Sequence, residues 1–279
     1  MSDPEVTRGG YSIFHETIAD MTYPELEQAI AAGAVALWGL GVIEQHGPHL
    51  PLGTDAYIPY ARLRRVRQLL GERGVPAVAI PPFYWGVNHV TGHFTGSIHV
   101  RPEIMIEVMV DVFRSLRKDG FRHVFCVSGQ GDALHNRALA EGVKRGRAET
   151  GIDACFVLGT AQAERLGFAS GEPYLLTTPS PPPTGKYMDV HAGNWETAVM
   201  WALYPGTVRE PIIPTLVPTN FGPEDLAEWR KGGEHAKRKT PLGYLGDPAA
   251  ADPRAGMDAF QAEAAAIADV IARHVAAAH

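Results

Sequence analysis

Residues 34–43 read AVALWGLGVI, and residues 44–55 continue as EQHGPHLPLGTD. The first string is an unbroken apolar run entered from Gly33, the pattern of a strand buried on both faces rather than one with a wet side. The second string begins where that strand ends. Residues two apart in an extended segment point to the same side, so Glu44 and His46 aim at one point. A turn through Gly53 can return Asp55 to it. Carboxylate, imidazole and carboxylate form a donor set suited to zinc, manganese or another divalent ion. The competing reading is a structural loop with satisfied polar groups, and Glu-x-His alone would favour it.

Working outward, apolar runs alternate with helical patterns. A helix is expected over 57–70, then a buried strand over 77–80 that Pro81 and Pro82 should stop. Residues 102–118 read as a helix with proline in its first turn, 122–127 (RHVFCV) as a third strand, 134–147 as a helix and 154–158 as a fourth strand. This alternation predicts an α/β fold: a single domain over 1–279 with a mainly parallel sheet flanked by helices on both faces. Sites in such sheets gather at the carboxyl ends of strands, which places 44–55 and 128–132 on one rim. Residues 171–187, rich in proline and threonine, read as an irregular excursion: a lid, a subunit contact or a passive loop. An amphipathic helix is expected over 257–278.

Composition narrows the partners. With 45% hydrophobic and 20% charged residues, the chain can build a core and stay soluble. A net charge of -6 and the lack of a dense Lys/Arg face argue against nucleic acid or an anionic membrane. No apolar run approaches the roughly 18 residues of a membrane span, and the N-terminus has no apolar signal region, so a cytoplasmic setting is the default. The two cysteines, Cys126 and Cys155, sit in separate apolar runs, which excludes a CxxC zinc or redox motif.

The segment EQHGPHLPLGTD resembles the signature of the creatininase (creatinine amidohydrolase) family. Three further segments agree in order: HFTGSIHV at 93–100, SGQGD at 128–132 and HAGNWETAVM at 191–200. The resemblance implies metal ligation by Glu44, His46 and Asp55, with Asp55 bridging two ions, zinc or manganese. Asp132 falls where a ligand glutamate stands in the family, and Gln130 where a ligand histidine is usual. Three outcomes are open there: Gln130 ligates through its oxygen, His135 substitutes, or one metal position is weakened. By the same resemblance His191 and Glu196 are the catalytic pair; His93, in a motif segment, and Trp195, an aromatic that could line a pocket for a flat or cyclic substrate, are candidates for substrate contact.

The implied function is metal-dependent hydrolysis. A metal-activated water attacks the carbonyl of a small, cyclic substrate, a cyclic amide or related C–N bond. Opening of a cyclic polyol-derived diketone and a non-catalytic binding protein that keeps the fold are the alternatives. The family also implies a small-molecule substrate and a homo-oligomer, often a hexamer.

Overall fold

In the computed structural model, which describes residues 15–169, 171–180 and 185–278, the apolar run becomes β1 (Val35–Leu40), buried along its whole length. Helix α1 (Tyr23–Ala31) precedes it. Then α2 (Thr54–Glu72) leads to β2 (Ala77–Phe83), α3 (Pro102–Asp119) to β3 (His123–Ser128), and α4 (Ala133–Thr150) to β4 (Asp153–Gly159). Helix α5 (Thr160–Leu166) leads to β5 (Leu175–Thr178), and α6 (Asn194–Leu203), α7 (Pro223–Trp229), α8 (Gly233–Lys239) and α9 (Pro253–Ala277) follow. The strands form one parallel sheet in the order β2-β1-β3-β4-β5.

Alternate residues of the strands feed two cores, which explains the unbroken apolar runs. Ala36, Trp38, Val124, Cys126 and Phe156 pack with Met109 and Phe113 of α3 and Leu139 of α4. On the opposite face, Val35, Leu37, Phe125 and Val157 pack with Leu63 and Val66 of α2 and Ile267 and Ile271 of α9. The expected α/β architecture is the one observed. Among the described residues, no helix is long and apolar enough to cross a membrane.

Two expectations need correction. Pro81 and Pro82 do not stop β2, which continues to Phe83. It is an edge strand of the five, paired with β1 on one side and bridged to Thr17 at Ala79, so Pro81 and Pro82 fall where the sheet needs no further donors, and the register shifts between Trp38 and Leu40. The 171–187 stretch is not wholly irregular either. It contains β5, which extends the sheet beyond β4, while its residues 181–184 lie outside the described residues. Four residues among prolines, of which only Thr178 is buried, give too short a run for periodicity to register.

Candidate metal centre

The carboxyl ends of β1 and β3 approach the first turn of α2 with no space to spare. A Cβ on Gly41 would lie 2.0 Å from the Asp55 carbonyl oxygen, and one on Gly129 would lie 2.1 Å from the same atom. Only glycine at both positions lets the helix start against the strand ends, with Asp55 directed into the centre. The loop from Glu44 closes on itself through Glu44 N–H to Leu52 C=O at 2.9 Å, so Glu44, His46 and Asp55 converge as the spacing predicted. All three are buried.

His46 donates from Nδ1 to the Glu44 carbonyl at 3.0 Å. That bond leaves the Nε2 lone pair facing Asp55 Oδ1 at 3.2 Å and Glu196 Oε2 at 3.8 Å. Three acceptors cannot share a buried space without a proton or a cation among them. The electrostatics state the same demand. Burial opposes charging of His46, yet Asp55, with Glu196 and Glu44 behind it, pushes the imidazole up to about 10. Burial and then the charge of Asp55 raise Glu44 well above the usual carboxylate range. Burial raises Glu196 in the same direction. Asp55 Oδ2 is buried without a hydrogen-bond partner. The donor set therefore fits a divalent cation.

His191, from the loop that enters α6, and Glu196, from the first turn of that helix, complete the cluster. Nitrogen and oxygen atoms of His46, His191 and Glu196 lie within 4.8 Å of one another, and the two imidazole centroids are 4.4 Å apart. His191 donates from Nε2 to the Gln45 carbonyl at 2.8 Å, which turns Nδ1 towards Glu44 Oε1 at 3.5 Å. Burial, reinforced by the neighbouring His46, holds His191 well below its ordinary value, hence neutral. Glu196 is anchored by the Ala192 N–H at 2.5 Å. Asp189 accepts from the Trp195 N–H at 2.8 Å at the start of α6.

Gln130 and Asp132 reach the same cavity with their polar atoms already engaged. The Gln130 amide donates to Glu44 Oε2, and its oxygen accepts from the Asp132 N–H at 3.1 Å. Asp132 accepts the N–H groups of His89 and Val90 on Oδ2, at 2.7 and 3.0 Å, and of Leu134 on Oδ1 at 2.8 Å, capping α4. His135 is fully buried, and burial lowers it to about 4. It packs beneath Gly86, where a Cβ would meet its ring at 2.4 Å, rather than replacing Gln130 in the cavity. His93 is exposed and pairs with Glu234 at 3.5 Å, outside the cavity wall. Trp195 does line the cavity, under the Arg62 guanidinium at 5.5 Å from the ring centroid.

That cavity measures about 1220 Å³. It is lined by Glu44 and His191, by Trp195 and Trp229, and by Arg165 and Arg230. Gln45, Arg62, Trp229, Arg165 and Arg230 had no signal in the sequence as site residues. Gln45 lay inside the motif as its unassigned member. The others are brought to the wall by α2, α5 and the end of α7, which no local pattern connects.

The family described as Creatinine amidohydrolase matches residues 19–271. A Mycofactocin precursor peptide peptidase of Mycobacterium tuberculosis is 32% identical over 250 residues, 85% of this chain and 82% of that protein. A Creatinine amidohydrolase of Pseudomonas putida is 24% identical over 215 residues, 75% of this chain and 80% of that one. Among solved structures, one described as creatinine amidohydrolase (creatininase) has a TM-score of 0.69 at 22% identity, covering 93% of this chain and 97% of its own. Another, described as Creatininase Mn, has a TM-score of 0.70 at 22% identity, covering 93% and 98%.

Proposed function

Because the chain belongs to the creatininase family of metal-dependent hydrolases, we propose that it hydrolyses an amide C–N bond of a small carboxylate-bearing substrate at the centre built on Glu44, His46 and Asp55. The observation that carries this reading is the buried His46 Nε2 facing Asp55 Oδ1 and Glu196 Oε2, an arrangement that calls for a cation. Glu44, His46 and Asp55 would hold one ion, zinc or manganese. A second ion would need Gln130 and Asp132 to give up their present bonds, so the second position is the weaker one. A bound divalent ion supplies a Lewis acid for the carbonyl and lowers the pKa of water.

The chain's own residues do the rest. Neutral His191 presents Nδ1 to the carboxylate cluster and can accept a proton there. Glu196, raised by burial, can carry that proton at neutral pH and return it to the leaving nitrogen. Trp195 and Trp229 line the cavity and add apolar surface that disfavours water there.

The size of the cavity bears on the substrate. Small-molecule sites typically span about 300–1,000 Å³. At about 1220 Å³, this one suits a short peptide or substituted amide better than a single unsubstituted ring. Arg165 and Arg230 line it as well, Arg165 donating to the Gly131 carbonyl at 3.2 Å beside Asp132, and burial and the charge of Arg230 both lower Arg165. Two neighbouring guanidinium groups suit an anionic substrate group. Arg165→Ala should therefore raise KM about tenfold for a carboxylate-bearing amide, with kcat nearly unchanged. An unchanged KM would remove the carboxylate from the proposed substrate class.

The reading as a whole is tested by chelation and reconstitution, with short peptides, cyclic amides and a cyclic polyol-derived diketone as substrates. Turnover of an amide should vanish with the metal and return with zinc or manganese. Full amide turnover by the stripped protein would refute the metal requirement, and turnover of the diketone alone would refute the bond assigned. A homo-oligomer in the cytoplasm belongs to the same proposal, and light scattering on the purified chain tests the assembly.

A further inference from the structure

At the amino ends of β3 and β4, His123 and Asp153 are paired in register. The length of β3 separates this end from the rim bearing Gln130 by about 17 Å. The last turns of α9 bring His274 over the same point. Asp153 Oδ2 lies 2.8 Å from His123 Nδ1 and 2.7 Å from His274 Nε2, and the three atoms fall within 4.8 Å of one another. The two imidazoles meet edge to face, at 89° with centroids 6.2 Å apart, so their nitrogens approach from different directions. No local pattern connects these residues, because His274 lies more than a hundred residues beyond Asp153 in the chain.

We infer that His123, Asp153 and His274 form a second metal site, for a divalent cation of the zinc class, separate from the catalytic centre. Two imidazoles and a carboxylate are ligands that such cations favour, and water can complete the coordination. The residues are 11%, 25% and 24% exposed at the side chain, so an ion can reach them from solvent. The carboxylate is ionised: burial opposes this, but hydrogen bonds from His123, His274 and Arg147 hold Asp153 far below the usual carboxylate range. Arg147 bonds Oδ1 and also the Ala154 carbonyl at 3.0 Å, which fixes the carboxylate with Oδ2 turned to the histidines. An outer hydrogen bond of this kind commonly orients a ligating carboxylate. The Cys155 thiol stands 3.7 Å from His274 Nε2 at the buried edge. Burial raises it to about 12, so it remains a protonated neighbour.

In the ion-free arrangement both ring nitrogens donate to Oδ2. Binding requires each imidazole to carry its proton on the other ring nitrogen, or to release it to solvent, which exposes the two lone pairs. The ion then ties the carboxyl end of α9 to the sheet. Helix α9 also gives Ala262, Glu263 and Ala266 to the wall of the catalytic cavity, so the tie stiffens that wall from a distance.

The test is a zinc titration against a chromogenic chelator, using the stripped full chain as Glu44→Gln, Glu44→Gln/His274→Asn and Glu44→Gln/His123→Gln. The first should take up about one equivalent more zinc than either double variant. Zinc should also slow hydrogen exchange over residues 270–277 in the first alone. His123→Gln leaves α9 untouched and carries the comparison if the His274 variant does not fold. Equal zinc uptake by all three would overturn the site and leave a metal-free hydrogen-bonded triad. Because the comparison is a difference between variants sharing the altered catalytic centre, it succeeds or fails independently of the proposed hydrolysis.

Discussion

Glu44→Gln should abolish turnover while leaving the metal-free fold at least as stable as before. The glutamine keeps the shape and loses the charge, and with it one of the anionic donors around His46. Metal polarisation is worth several kcal/mol in the transition state, so the expected loss in kcat/KM is roughly 1000-fold or more. Metal content after purification should fall with it. The stability side runs the other way. The folded chain holds the Glu44 proton to higher pH than the unfolded chain does, because burial and Asp55 disfavour the carboxylate. The metal-free fold is therefore favoured below the ordinary carboxylate value and loses stability as pH rises through the raised folded value. Removing the titrating group removes that loss. Calorimetry of the stripped proteins at neutral pH should give a Tm for the variant equal to or above that of the parent. A variant that kept its metal would sink the ligand assignment, and one that lost metal and fold together would show that Glu44 is structural.

The second large effect is expected at Gly129→Ala. The added methyl would stand 2.1 Å from the Asp55 carbonyl oxygen and 2.7 Å from Pro59 Cγ, atoms of helix α2 with no soft side chain to yield. The helix start must move or the strand end must bend. Overpacking of this kind costs about 3 kcal/mol when backbone blocks relaxation. Asp55 would be carried off its position opposite His46, so metal affinity should fall even in the fraction that folds. Denaturant unfolding and metal titration on the same preparation measure the two losses. Gly131→Ala, two residues on, meets nothing within 4 Å and is the control that should change neither. A stable Gly129→Ala chain with undiminished metal affinity would show that α2 is free to shift.

The two substitutions mark what could be read from the chain and what could not. The Glu44 to Asp55 segment was legible because its chemistry is local: one strand end, one turn and one helix start bring the donors together. The parallel sheet was legible for a related reason, since strands covered on both faces need unbroken apolar runs. Strand β5 was not, because four residues among prolines, only one of them buried, carry too little periodicity. The prolines of β2 misled for want of one fact, the edge position, which only the assembled sheet supplies.

The sequence by itself thus determined the α/β architecture, the convergence of Glu44, His46 and Asp55, and the family. Tertiary structure decided which motif residues meet. It turned His191 onto the Gln45 carbonyl, committed Asp132 to three backbone N–H groups and left His93 outside the cavity. It also brought Arg165 and Arg230 to one wall, and His274 onto His123 and Asp153. The physical reason is range. Backbone periodicity and turn chemistry act over a few residues, whereas those contacts depend on how helices and strands distant in the chain pack against one sheet.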